Sequence, residues 1–234
     1  MSGSSDRVLL VEDHALLAQS LRLALLAEGF DTRVVDPMQP DLAARLFELT
    51  PATVLLDLDL GAFGPADALI APLTAHEARV VVLTGETDRA RWGECLLAGA
   101  LAVLAKSQPL ETLIDAVRVV RTGRPVMDER DRIASLRASA HRRAADASRL
   151  APFARLTPRE AQVLTAVVAG ESVAAIATRS QVSVTTVRTQ IRAILAKLGV
   201  GSQLQAVALA RRAGWPDDSR QAPGPDGSEP RLSR

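Results

Sequence analysis

The 234-residue chain reads as two domains of different class: an α/β, doubly wound, five-stranded parallel sheet over residues 6–122, and a separate all-α domain of four helices over residues 151–215. Three observations predict this. Five short apolar runs alternate with segments of helical spacing up to residue 122, the rhythm of a sheet covered by helices on both faces. After residue 150 those runs give way to paired start and stop signals for helices. The charge changes sign as well: residues 1–121 hold 10 Lys or Arg against 17 Asp or Glu, net −7, whereas residues 151–215 hold 8 against 2, net +6. The total of +1 conceals an acidic half and a basic half.

The strands fall at residues 8–11, 32–35, 54–58, 80–83 and 102–105. Helices follow them at 15–28, 41–49, 66–75, 89–97 and 110–121, with Gly29, Gly99 and Gly123 as stops. About 115 residues suffice for one proper core. Residues 123–150 lose the alternation and become rich in Arg and Ala, with Ile133, Leu136 and Ala140 at helical spacing; they read as a partly helical linker. Its Arg137, His141, Arg142 and Arg143 read as a solvated face. The basic domain opens with Thr157-Pro158-Arg159-Glu160, an N-cap, a proline at the first helical position and a glutamate three residues after the cap. Gly170 ends that helix, residues 172–179 form a short second one, Ser183 caps a third that Gly199 ends, and Ser202 with Gln205 starts a fourth closed by Gly214. The Pro-, Gly- and Ser-rich stretch 216–234 has almost nothing to bury and is expected to be disordered.

Chemistry concentrates where the acidic half's strands end. Residues 8–11 deliver Glu12 and Asp13, residues 54–56 deliver Asp57, residues 80–83 deliver Thr84, and residues 102–105 deliver Lys106. Strand ends of a parallel sheet open onto one crevice, so these groups converge. Carboxylates that close repel one another, and a divalent cation relieves the conflict. Magnesium suits an all-oxygen set, with Glu12, Asp13, Asp57 and Asp59 as its candidate surroundings. Thr84 offers a hydroxyl and Lys106 a mobile point charge to a phosphoryl oxygen. Lys106 and Lys197 are the only lysines in a chain that otherwise uses arginine. One cysteine and three scattered histidines build neither a zinc site nor a disulfide framework. With no charged-then-apolar leader and no apolar run of membrane length, the chain is expected in the cytosol.

The basic domain carries a second signal. Along residues 183–198, Val184, Val187, Ile191, Ile194, Leu195 and Leu198 form an apolar stripe, while Thr185, Arg188, Thr189 and Arg192 recur at i, i+3, i+4, i+7 on a polar one. Such a polar stripe is what a major groove reads, Arg pairing with guanine edges or phosphates. The short preceding helix, the tight turn at 180–183 and the +6 charge make this a helix-turn-helix with 183–198 as recognition helix.

The acidic pair, Asp57, Thr84 and Lys106 resemble the receiver domain of two-component response regulators, whose sheet is flavodoxin-like. Leu156-Thr-Pro-Arg-Glu160, Val182-Ser-Val-Thr-Thr-Val-Arg188 and Lys197-Leu-Gly-Val200 resemble the LuxR-type DNA-binding domain of the NarL/FixJ regulators. The resemblance implies that Asp57 accepts a phosphoryl group from a sensor histidine kinase, with Mg2+ held by Asp13, Asp57 and the main-chain carbonyl of Asp59. It further implies double-stranded DNA as partner, with Arg188, Thr189 and Arg192 facing bases or nearby phosphates and Thr185, Thr186 and Lys197 on the backbone. Homodimerisation through residues 202–212 and contact with RNA polymerase belong to the same expectation, as does a change in receiver packing when Asp57 is modified. Two positions depart from the family pattern. Val103 stands where an aromatic residue usually precedes the lysine, and 60–64 reads Leu-Gly-Ala-Phe-Gly without the usual proline. Two other readings stay open: a regulator that binds DNA without phosphorylation, and a magnesium phosphohydrolase of the haloacid dehalogenase type, for which Asp57-Leu-Asp59 is the motif. The chain is otherwise read as no enzyme.

Overall fold

A computed structural model describes residues 7–122, 124 and 126–215. The disorder expected at 216–234 and the helix stop expected at Gly123 lie outside the described residues. The chain divides into two compact units, Met1–Arg142 and Arg143–Arg234.

In the first unit β1 (Arg7–Val11), β2 (Asp31–Val35), β3 (Thr53–Asp57), β4 (Arg79–Thr84) and β5 (Ala102–Ala105) form one parallel sheet in the order β2-β1-β3-β4-β5. The reversal of strand order between β1 and β3 is where crevices form in such sheets. Val8–Val11, Val54–Leu56 and Val80–Leu83 are almost wholly inaccessible, as strands covered on both faces must be. The covering helices are α1 (Ala15–Ala27), α2 (Leu42–Leu49), α3 (Ile70–Ala75), α4 (Arg89–Leu97) and α5 (Leu110–Arg121). The helix expected over 66–75 is shorter: a 3-10 turn occupies Asp67–Leu69 and α3 begins at Ile70. A second 3-10 turn, Gly61–Phe63, shapes the loop after β3.

The linker differs most from expectation. Residues Glu129–Leu150 form one continuous 22-residue helix, α6. Of the three residues at helical spacing, Leu136 packs against the core, Ile133 is 40% exposed and Ala140 is exposed, while Ser135 and Ser139 are fully buried. Arg142 is not merely solvated, for it pairs with Asp88 and Glu94.

The second unit contains α7 (Pro158–Val168), α8 (Val173–Arg179), α9 (Val184–Leu198) and α10 (Gln203–Ala213) around Phe153, Leu164, Ile176, Val187, Ile194 and Ala210. Its four start signals form as read. Thr157, Ser172, Ser183 and Ser202 each accept a main-chain N–H three residues on, and Thr157 with Glu160 closes a full capping box. Val184 departs from the expected apolar stripe: it is 39% exposed at the first turn of α9. No single helix among the described residues is long and apolar enough to cross a membrane.

Candidate functional site: an acidic pocket and an arginine-bearing helix

Strand register assembles the pocket. Val11 pairs with Leu56, so Glu12 and Asp57 leave adjacent strands side by side. Asp57 pairs with Leu83 and Thr84 with Ala105, which sets Thr84 and Lys106 on the following steps. Lys106 Nζ donates to Asp57 Oδ2 at 2.6 Å and to Glu12 Oε1 at 2.8 Å, joining three strand ends. The main-chain N–H of Asp59 donates to Asp57 Oδ1 at 3.2 Å. Thr84 is buried at the rim, where its hydroxyl accepts the N–H of Glu86 at 3.0 Å.

Burial pushes the Asp57 carboxyl up to about 6, against the opposing hydrogen bonds from Lys106 and Asp59. Lys106 is raised from its usual value: desolvation works against its charge, and the bonds to Asp57 and Glu12 outweigh it.

His14 is a member of this cluster that sequence reasoning missed. Its Nδ1 lies 2.9 Å from Glu12 Oε1 and 2.8 Å from Asp13 Oδ1, and the bond to Glu12 raises its pKa. The signal was adjacency, for His14 directly follows the acidic pair. Ligand atoms from Glu12, Asp13, His14 and Asp57 all lie within 4.8 Å of one another. Glu12 Oε2 is buried with no partner among the described residues, an acceptor without a donor. This oxygen-rich donor set fits a hard divalent cation. The Asp59 side chain lies outside the cluster and is exposed. Gly61 was missed as well: with φ of +55°, it presses so near that a Cβ there would stand 2.6 Å from Asp13 Oδ2.

On α9, Thr185, Thr186, Arg188, Thr189 and Arg192 are all exposed. Arg188 and Arg192 have no acidic partner among the described residues, which leaves both guanidinium groups available. Lys197 lies elsewhere. Its Nζ donates to Glu160 Oε2 at 2.6 Å, so the ammonium is engaged inside the helical unit instead of standing with the arginines.

An acidic crevice at parallel strand ends, followed by a helix-turn-helix with free arginines, defines a regulator that couples a receiver to a DNA-binding unit. Residues 8–118 match the response regulator receiver domain, and residues 154–210 match the bacterial regulatory proteins of the luxR family. The chain belongs to the response regulators that combine these two domains. It is 30% identical to the probable transcriptional regulatory protein NarL of Mycobacterium tuberculosis, over 88% of this chain and 94% of that protein. It is 28% identical to the transcriptional regulatory protein LiaR of Bacillus subtilis, over 88% and 97%. Among solved structures it is similar to the two-component response regulator RcsB in complex with DNA, at 21% identity and a TM-score of 0.45, covering 88% of this chain and 97% of that one.

Proposed function

We propose that this chain is a cytoplasmic transcription regulator whose DNA binding is controlled by phosphorylation of Asp57 by a sensor histidine kinase. The observation that carries the reading is the convergence of Glu12, Asp57 and Lys106 within hydrogen-bond reach from three separate strands. An Asp57 oxygen attacks the phosphorus of a phosphohistidine, a P–O bond forms, the P–N bond breaks, and the imidazole leaves. Such a transfer asks the protein for positioning and charge neutralisation. Lys106 stands ready to pass from Asp57 to a phosphoryl oxygen, and the Thr84 hydroxyl can turn from the Glu86 N–H toward another. Asp13, Asp57 and the Asp59 main-chain carbonyl would hold magnesium beside Glu12; when bound, the ion neutralises carboxylate and phosphoryl oxygens. Arg188, Thr189 and Arg192 face the major groove, with Thr185 and Thr186 toward the phosphodiester backbone. A homodimer on DNA and contact with RNA polymerase complete the proposal.

The test is labelling with radioactive acetyl phosphate in magnesium. The wild-type chain takes up acid-labile label and Asp57→Asn takes up none. Label retained by that variant refutes the acceptor assignment, whereas DNA binding indifferent to label in the wild type supports a phosphorylation-independent regulator instead.

A further inference from the structure

The end of the sheet remote from the acidic crevice has an opening of its own. Leu101 directly precedes β5, at the opposite end of that strand from Lys106, and Val120 lies in the last turn of α5. Val126 and Met127 belong to the crossing between α5 and α6, and the first turn of α6 supplies Glu129 and Arg132. Together with Arg124 they line a cavity of about 320 Å³. Small-molecule sites span roughly 300–1,000 Å³, so the space suits a compact organic ligand. Every lining residue lies in the first compact unit, and none belongs to the site around Asp57.

Chemistry divides the lining in two. Leu101, Val120, Val126 and Met127 make an apolar floor, and Leu101 still exposes 41% of its surface. An apolar group laid on that floor releases water from it. The remaining residues are charged: Arg124, Arg132 and Glu129, two cations against one anion. Arg132 Nη1 donates to the Leu101 carbonyl at 3.3 Å, which ties the guanidinium beside the exposed leucine. A guanidinium carries five N–H donors in a planar fork, so most of this one is left for a further acceptor. Neither arginine has an acidic partner among the described residues. Excess positive charge beside an apolar floor complements one ligand chemistry.

We propose that this cavity binds a small amphipathic carboxylate. The carboxylate accepts from Arg132 and Arg124, and the hydrocarbon lies against Leu101, Val126 and Met127. A free inorganic anion leaves the floor wet, a neutral hydrocarbon leaves the guanidinium groups unused, and an organic cation meets two like charges. Glu129 opposes the bound carboxylate and so limits the affinity. Because the site shares no side chain with the crevice at Asp57, binding does not depend on phosphorylation and stands or falls apart from the reading of Asp57 as acceptor.

Isothermal titration calorimetry on the full chain, with octanoate as probe, tests this. Octanoate binds the wild type and Asp57→Asn equally, whereas octan-1-ol, octylammonium and acetate each bind at least about tenfold more weakly. Arg132→Gln and Arg124→Gln each weaken octanoate about tenfold, the scale of one charge-assisted hydrogen bond. Glu129→Gln tightens it, a change that a disturbed fold does not produce. No binding of octanoate overturns the proposal. So does octan-1-ol binding as tightly as octanoate, which reduces the site to apolar adsorption, and so does acetate binding as tightly, which leaves an anion contact only. An affinity that Glu129→Gln and both arginine variants leave unchanged puts octanoate elsewhere on the chain and overturns it too.

Discussion

At the scale of single residues, the position of Gly61 sets the pocket's affinity for a cation. A side chain there would compete with Asp13 Oδ2 for the same space, whereas a Cβ at Gly64, whose φ is +91°, meets nothing within 4 Å. Both substitutions strain the loop backbone, but only one touches a candidate ligand. Gly61→Ala is therefore expected to weaken magnesium binding about tenfold, the usual scale for disturbing a ligand's support. Gly64→Ala should weaken it much less. Titration calorimetry measures both, and equal losses would show that loop strain alone is responsible. Cys95 illustrates the opposite case, a nucleophile kept silent. It is buried, and burial pushes its thiol up to about 11. At pH 8 that leaves roughly a hundredfold less thiolate than an ordinary cysteine has. With the sulfur also shielded by burial, a maleimide should modify the native protein about a hundredfold or more slower than the denatured chain. Rapid native labelling would contradict this burial.

Among elements, α7 and α9 are tied by one carboxylate. Glu160 Oε2 accepts the Thr157 N–H at 2.7 Å, the Thr157 hydroxyl at 2.9 Å and Lys197 Nζ at 2.6 Å. The Lys197 bond is the largest of the causes holding its pKa below the usual value. A carboxyl depressed in the folded state adds stability above its unfolded pKa, and that stability is lost as pH falls through the folded value. Glu160→Gln should cost about 1–2 kcal/mol at pH 7, and the difference from wild type should shrink below about pH 4.5. Urea unfolding followed by Trp215 emission reads this, and a difference that does not change with pH would remove the charge from the account. This tie also marks where the sequence was legible. The capping box at Thr157–Glu160 was readable because its partners lie three residues apart, whereas the 37-residue step from Glu160 to Lys197 was not, so Lys197 read as a DNA contact. The strands and the pocket at their ends were visible because four buried apolar runs end in polar groups. The buried face of α6 was only partly visible: Leu136 falls at helical spacing and packs on the core, but Ser135 and Ser139 carry no apolar signal, and only Gly93 opposite makes room for them. Gly61 was overlooked since its significance lies in a distance, whereas His14 was legible by its adjacency to the acidic pair.

For the whole molecule the uneven charge matters most. The net +6 of residues 151–215 comes from seven Arg and one Lys, some of which the structure engages in ion pairs and some of which it leaves without an acidic partner. Arg179 pairs with Glu171 and Lys197 with Glu160, whereas Arg188 and Arg192 on the exposed face of α9 pair with nothing acidic among the described residues. Only a cation that neutralises a phosphate adds to the release of counterions from DNA, and each such contact contributes about −0.9 to the slope of log affinity against log salt. With about six phosphates neutralised per subunit the slope should lie near −5. Arg192→Ala should bring it toward zero by about 0.9, while Lys197→Met, measured at a temperature where the variant is folded, should leave it unchanged because Glu160 already holds that ammonium. Fluorescence anisotropy with a labelled duplex between 50 and 200 mM salt, the range over which such contacts are resolved, decides between them. A slope that moves as far for Lys197→Met as for Arg192→Ala would mean that the Glu160 pair opens on DNA and that Lys197 joins the interface. A slope near zero for the wild type would remove the basic half from DNA binding altogether.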